Sequence, residues 1–444
     1  MKLKVCALLI ANLGLIAAPP AVAGEVEDLK VLVKQLQQRL EQLETREATK
    51  VAAAPAAAPA AVPANVVTAG TLPGSIKLPG TETSLKVYGY AQLDATHDFK
   101  GRNSDINNND WASALFVQPF NNASTGRSHK GQTYATARTS RIGFETATQT
   151  SSGVLLTKVE GDFNAPNQFQ GELATNSNTF RLRHAYGQLG NLLVGQTWSN
   201  FSDLGSFPDT VDFNPPGTTA LLRQPQIRYT IPLASSKLAL SVENSQSLSF
   251  PTAPRVNDFD RSPDFVANWT MSGDRGHLSL RAVSLEYRND NHAKRGYGLG
   301  LGGSLKFGDD TLVAGIQGGE GIGRYMLNSL VQGATDVGNS INLWKAYGWH
   351  VGYTHTWNAK FRSNLIASQT VFDKDEVANV AQRGLGSADL FPNRRIEQVF
   401  VNTFWAFEKN AELGLEYAWG KRTTFNNEVG TQNRINASVR YSFY

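Results

Sequence analysis

Cysteine is almost missing from this chain: of 444 residues only Cys6 carries a thiol, and it lies in the first apolar stretch. Beyond that stretch, disulfides, thiolate nucleophiles and thiolate metal sites are excluded. Long hydrophobic runs are also missing. After residue 23 no continuous apolar segment is long enough to cross a bilayer as a helix. Charge of one sign is scarce, since 42 Lys and Arg face 38 Asp and Glu. No basic tract or aromatic-basic stripe points to nucleic acid. The 7 histidines do not cluster, and His350 and His355, an odd spacing apart, fall on opposite faces of a strand. No metal or cofactor site is expected. No Gly-x-Ser-x-Gly elbow or Ser/His/Asp set argues for an enzyme.

The apolar stretch is itself informative. Lys2 and Lys4 precede a run from Val5 to Ala18, and Ala21-Val22-Ala23 supplies small residues before Gly24. Residues 1–23 thus read as a secretory signal peptide, a membrane anchor being the alternative. Residues 24–47 carry Val26, Val33 and Leu40 at a positions and Leu29, Leu36 and Leu43 at d positions of a short coiled coil. An amphipathic helix packed on its own barrel is the alternative, and Val at a with Leu at d leans towards dimers. Residues 48–84 hold Pro55, Pro59, Pro63, Pro73 and Pro79 among alanines. This semi-rigid linker reaches on the order of 100 Å when extended.

From residue 85 to 444 hydrophobicity alternates with a period of two. Sixteen segments, from 85–97 to 433–443, fit strands of an all-β, 16-stranded antiparallel transmembrane β-barrel. Tight turns at 234–236, 308–309, 358–359 and 409–410 alternate with long connections, as in outer-membrane barrels. An even strand count leaves the coiled coil in the periplasm. In the segment 276–289, Leu278 and Leu280 are out of phase with Val283, Leu285 and Tyr287, which predicts a β-bulge. Gly298, Gly300 and Gly303 match G-x-G-x-x-G, but inside a strand they signal close packing, not a dinucleotide. At the chain end Ile435, Ala437, Val439, Tyr441 and Phe443 alternate with polar residues. This resembles the signal that barrel-assembly machinery recognises, with Tyr441 and Phe443 as its aromatic end.

A barrel of sixteen strands is too wide for side chains to fill. Charges on its strands must point inward, because lipid penalises them. That rule sends Arg141, Lys158, Arg181, Arg183, Arg228 and Arg281 into the lumen, together with Glu145, Glu160 and Asp162. The arginines then either bias the lumen towards anions or form a structural ladder neutralised by those carboxylates.

Arg181-Leu-Arg-His-Ala-Tyr-Gly187, Leu193-Val-Gly-Gln-Thr-Trp-Ser199, Asp212-Phe213 and Pro215-Pro-Gly217 resemble the DcaP-like family of outer-membrane porins. The whole plan of signal, coil, linker and barrel is similar to that family too. The resemblance implies a homotrimer with a periplasmic coiled coil, against the dimer lean. It also implies a constriction formed by segment 200–224 and passage of small anionic solutes such as dicarboxylates. By motif, Arg181, Arg183 and Arg228 line the anion path, with Arg141 beside them. Asp203, Asp209 and Asp212 in the constriction segment counter that preference or pair with the arginines. A weakly selective diffusion porin, or a barrel serving as adhesin or envelope tether, are the alternatives. The outer membrane with its lipid and lipopolysaccharide is the expected setting.

Three heptads are marginal alone, and the linker uncouples them from the barrel. Deleting residues 24–47 is therefore expected to loosen the oligomer and spare the barrel. Cross-linking and heat-shift gels check this, and loss of the folded monomer band would show the coil to be needed for barrel folding.

Overall fold

A computed structural model describes residues 31, 33–42, 67–100, 131–165, 179–245, 249–250, 261–289, 291–329, 333–336, 340–373, 393–425, 427 and 429–443. The chain divides into two units, Met1–Val66 and Val67–Tyr444. In the first, residues 31 and 33–42 are helical, with Val33, Leu36 and Leu40 exposed. Val26, Leu29 and Leu43 of the expected heptads, and the expected signal peptide, lie outside the described residues.

The second unit is a closed antiparallel barrel of sixteen strands. They are β1 (Thr83–Lys100), β2 (Gln132–Thr136 and Arg141–Thr150), β3 (Gly153–Ala165), β4 (Thr179–Leu189), β5 (Leu192–Trp198), β6 (Arg223–Pro232), β7 (Ser236–Glu243) and β8 (Asp264–Gly273). There follow β9 (Gly276–Arg288), β10 (Ala293–Phe307), β11 (Asp310–Glu320), β12 (Lys345–Asn358), β13 (Phe361–Phe372), β14 (Asn393–Glu408), β15 (Ala411–Thr424) and β16 (Val429–Phe443). Each strand pairs with its sequence neighbours, and β16 returns to β1 with Phe443 opposite Gly89. A Cβ at position 89 would stand 2.2 Å from the Arg141 carbonyl and 2.8 Å from the Phe443 ring, so glycine is needed there.

Beyond Gly89 the edge of β1 would be left open. A hairpin of Thr68–Ala69 and Ile76–Lys77 covers it, with Ile76 and Lys77 paired to Leu85 and Ser84. Part of the sequence that reads as linker therefore closes backbone hydrogen bonds at the seam, where an unpaired edge would otherwise remain.

Burial is inverted relative to a soluble domain. Leu299, Leu365 and Ile227 are more than half exposed, whereas Gln398, Asn402 and Asn436 are buried. Alternation alone produces this: apolar side chains face outward to lipid, and polar ones face the lumen.

The expected bulge in β9 is absent. Its register runs unbroken with β8 from Gly276 to Ser284 and with β10 from Gly276 to Arg288. The phase change has a different cause. Val283, Leu285 and Tyr287 point inward and are buried in an apolar cluster with Phe201, Ile322, Tyr325 and Met326. Two segments folded inside the barrel, 200–222 and the described residues of 321–343, supply those partners. At this level the lumen wall meets protein, not water, so apolar residues are accommodated on its inner face.

The 200–222 segment lies in a trough of lumen-facing glycines. A Cβ on Gly302 would stand 2.4 Å from Asp203, one on Gly352 2.7 Å from Pro208, one on Gly348 2.8 Å from Thr218 and one on Gly414 2.8 Å from Val211. Gly300 is likewise pressed by the Arg281 guanidinium at 3.0 Å. The glycine motif of β10 is thus part of a bed for another segment's side chains. Gly302→Leu is expected to lift the segment while leaving the barrel folded. Single-channel conductance should change and grow noisy, with heat modifiability on gels retained. Unaltered conductance in a folded Gly302→Leu protein would show that the trough does not seat the segment.

Candidate functional site: the lumen wall and its inserted segment

One side of the lumen is lined by β2 to β6 and carries the sequence-predicted cations. Arg181 on β4 makes a two-pronged pair with Asp162 on β3, at 2.9 and 2.8 Å. Arg183 bonds Glu160 at 2.7 Å and Asp162 at 2.8 Å. Arg141 lies 3.5 Å from Glu160, and Lys158 lies 2.9 Å from Glu145. The reason both Arg183 and the following His184 point inward is a register shift. Glu160 pairs with His184 and Gly161 with Leu182, leaving Arg183 as the extra residue of a bulge. Both Arg183 and the carboxylates it bridges are buried.

Arg228 and Arg281 are held differently. Arg228 donates to Gln226 at 2.9 Å and to the Trp198 carbonyl at 2.5 Å. Arg281 donates to the carbonyl of Phe201 at 2.9 Å and stacks on that residue's ring. Neither lies within 4.0 Å of a carboxylate among the described residues. Arg281 is separated from the cluster, on β9, and fastens the start of the inserted segment.

Sequence reasoning missed Arg223. Strict alternation from Ile227 and Tyr229 sends it towards lipid, yet its guanidinium lies 4.2 Å from the Trp198 ring. The Arg183 guanidinium is 6.0 Å from the same ring. The indole thus keeps two cations apart while offering each a π face. Tyr90 does the same for Arg141 at 5.1 Å and Arg440 at 4.7 Å. The aromatic Trp198 beside the Gly195-Gln196-Thr197 stretch was the available signal.

The opposite wall holds the 200–222 segment. Asn200 bonds Glu243 and Ala239, and His277 on β9 bonds Asp203 at 2.8 Å. His350 on β12 bridges the Ser206 carbonyl at 3.0 Å and the Thr218 hydroxyl at 3.2 Å. Asp209 pairs with Arg362 on β13 at 2.7 Å. The Gly217 amide donates to Gln398 on β14. Asp212 caps its own turn by accepting from the Asn214 amide at 2.9 Å. Asp203 and Asp209 are therefore engaged on their own side, and no ion pair joins the three acids to Arg141, Arg181, Arg183 or Arg228 among the described residues. A link across is Phe213, whose ring lies 5.8 Å from the Arg181 guanidinium.

Glu416 on β15 is the firmest of these anchors. Its buried carboxylate accepts from the amides of Val211 at 2.9 Å and Asp212 at 3.0 Å, and from Asn402 and Asn436 at 2.9 and 3.0 Å. Four donors satisfy a carboxylate that would otherwise be costly to bury. Residues 321–329 add a second layer: the amides of Leu327 and Asn328 donate to the carbonyls of Thr219 and Gly217. Tyr325 donates to Asp264 at 2.7 Å and accepts from Gln224 at 2.8 Å.

A sixteen-strand barrel with a segment lodged along one inner wall and cations facing it across the lumen has the build of a porin. The model of the DcaP outer membrane protein family matches residues 28–443. The chain belongs to that family.

Among solved structures, the outer membrane channel DcaP of Acinetobacter baumannii is similar at 26% identity and a TM-score of 0.69, over 81% of this chain and 97% of that one. Salmonella typhi OmpF in complex with daunomycin matches at 15% identity and a TM-score of 0.52, over 82% and 98%. The trimer form of Vibrio cholerae OmpT matches at 12% and 0.50, over 81% and 99%. These last two share the fold. No curated protein matches. This DcaP-family chain is thus an outer-membrane β-barrel of the channel class.

Within it, Glu416→Leu would orphan two backbone amides of the inserted segment, at about 1–3 kcal/mol each. Open-channel current noise is expected to rise. Glu416→Gln, which keeps one acceptor oxygen, should be milder. Equal noise in wild type and Glu416→Leu would remove the clamp from this account.

Proposed function

We propose that this DcaP-family barrel is a passive channel whose lumen favours small anions, dicarboxylates among them, with segment 200–224 as its constriction. The observation that carries this reading is an excess of cations on one wall. Arg141, Lys158, Arg181, Arg183, Arg223 and Arg228 stand against Glu145, Glu160 and Asp162. Arg223 and Arg228 have no carboxylate within 4.0 Å among the described residues, so their charge is offset only by more distant groups. A solute passing within a few ångströms feels fixed charge inside the screening distance of about 8 Å at physiological ionic strength. Low-dielectric walls strengthen that field. Binding must stay weak enough for release. The same pairs favour a second reading, a diffusion porin of weak preference, since Arg181 and Arg183 are largely neutralised by Glu160 and Asp162.

The chain works, in this proposal, as a homotrimer in the outer membrane, with residues 24–47 as a periplasmic coiled coil. The heptad spacing and the trimer form of a similarly folded OmpT support it. The outward, exposed Tyr441 and Phe443 at the end of β16 would be the handle for barrel-assembly machinery.

Removing Arg183 alone would leave two buried carboxylates short of a partner, at roughly 3–5 kcal/mol, and would confuse selectivity with folding. The cleaner test uses Arg223→Gln with Arg228→Gln. The reversal potential across a salt gradient should move towards cations, and current blockages by dicarboxylates should shorten. Glu160→Gln with Asp162→Asn should move it the opposite way. A reversal potential unmoved by both changes in folded protein would leave the weakly selective porin as the answer.

A further inference from the structure

The outer surface carries a feature that conduction through the lumen does not use. Across β6 to β12 two adjoining apolar grooves, of about 520 and 550 Å³, run along the lipid-facing wall. They share Ala267 and Ala282, which sit opposite one another on β8 and β9. The floor is low because these residues, with Gly318, are small where their neighbours are large. Phe265, Trp269, Leu299 and Tyr347 stand along its length. At the periplasmic end the Trp269 indole N–H donates to Ser236 at 3.1 Å, as interfacial tryptophans do.

The other end is headed by a fixed cation. Arg295 on β10 is exposed, and its guanidinium lies 5.4 Å from the Phe265 ring. It donates to the Ser284 hydroxyl at 2.9 Å, the Ser284 carbonyl at 2.9 Å, the Ser262 hydroxyl at 2.7 Å and the Pro263 carbonyl at 3.3 Å. Phe265 and Ser284 also line the groove. Among the described residues, every hydrogen-bond partner of Arg295 is neutral. Glu286, its cross-strand neighbour, is occupied by Arg288 and by the amides of Arg261 and Ser262. Arg295 is thus held in place with no ion-pair partner among the described residues, and NH1 makes one of its two donations there.

A held, exposed guanidinium at the head of an acyl-width apolar groove matches a lipid that joins phosphate to fatty acyl chains. We propose that this groove binds a phosphorylated lipid of the outer leaflet, its phosphate on Arg295 and an acyl chain along Ala267, Ala282 and Gly318. Guanidinium and phosphate form charge-assisted bonds, and the chain gains from filling a depression that bulk lipid packs poorly. A second copy of the chain is the less suitable occupant, because an interface there would bury the Arg295 charge. The leaflet assignment rests on the long connections being external; recognition of phosphate does not.

The test is native mass spectrometry of the purified full chain in detergent, with diphosphoryl lipid A, its dephosphorylated form and phosphatidylglycerol as probes. Diphosphoryl lipid A is expected to remain bound, with Arg295→Gln weakening it about tenfold and Ala282→Leu weakening all three. Heat modifiability of each variant confirms folding. Equal retention by wild type and Arg295→Gln would overturn the site. Phosphatidylglycerol retained in preference to lipid A would overturn the outer-leaflet assignment. Ala282→Cys in a chain otherwise lacking cysteine after Cys6 provides a further arm: efficient cross-linking between protomers would assign the groove to a second copy and overturn the lipid. External labelling of a long connection tests topology separately, so failure of that reading is distinguishable.

Discussion

A charged side chain cannot be left in hydrocarbon, and this constraint organises the barrel. Each strand has two faces, so forcing apolar residues towards lipid forces the remaining residues, charges included, into the lumen. Asp162, Glu160, Arg181 and Arg183 are neighbours for that reason. Once inside they are close enough to need one another: Arg183 bridges two carboxylates, and the bulge at this position lets it do so while Leu182 still faces lipid. The ion pairs make the charged wall stable, and the cations left over give it a sign.

The inserted segment obeys a related constraint. Its backbone amides are removed from bulk water and need acceptors on the wall. Glu416, Gln398 and the carbonyl-binding His350 serve the segment, each from a different strand. Glycines of β10, β12 and β15 leave room for its side chains, so the segment lies close enough for those bonds to form. The apolar cluster of Phe201, Tyr287, Ile322 and Tyr325 then joins two inserted segments into one body with the wall. The lumen is consequently asymmetric, with a packed side and a charged side facing each other.

Outside, the same economy of small residues has another effect. Ala267 and Ala282 leave a depression in the lipid-facing wall, and Arg295 stands at its end because neutral groups hold it there. The inner and outer surfaces are thus shaped by one set of strands in which residue size, as much as polarity, decides what fits.

Much of this was legible in sequence. Alternation in β12 and β14, tight turns between long connections and the apolar pattern ending at Phe443 determined a sixteen-strand barrel, because lipid enforces period two strand by strand. The same rule placed Arg141, Lys158, Arg181, Arg183, Arg228 and Arg281 inward. What it could not reach depends on groups far apart in the chain. The phase change in β9 reads as a bulge until Ile322 and Tyr325 are seen packed against Val283, Leu285 and Tyr287. Arg223 reads as lipid-facing until Trp198 is found beneath it. Glu416 looks like any acid until Val211 and Asp212, about two hundred residues earlier, are found donating to it. Periodicity is a local property fixed by the solvent on each side of a strand. Which carboxylate meets which amide is fixed only when the barrel closes and its inserted segments find the opposite wall.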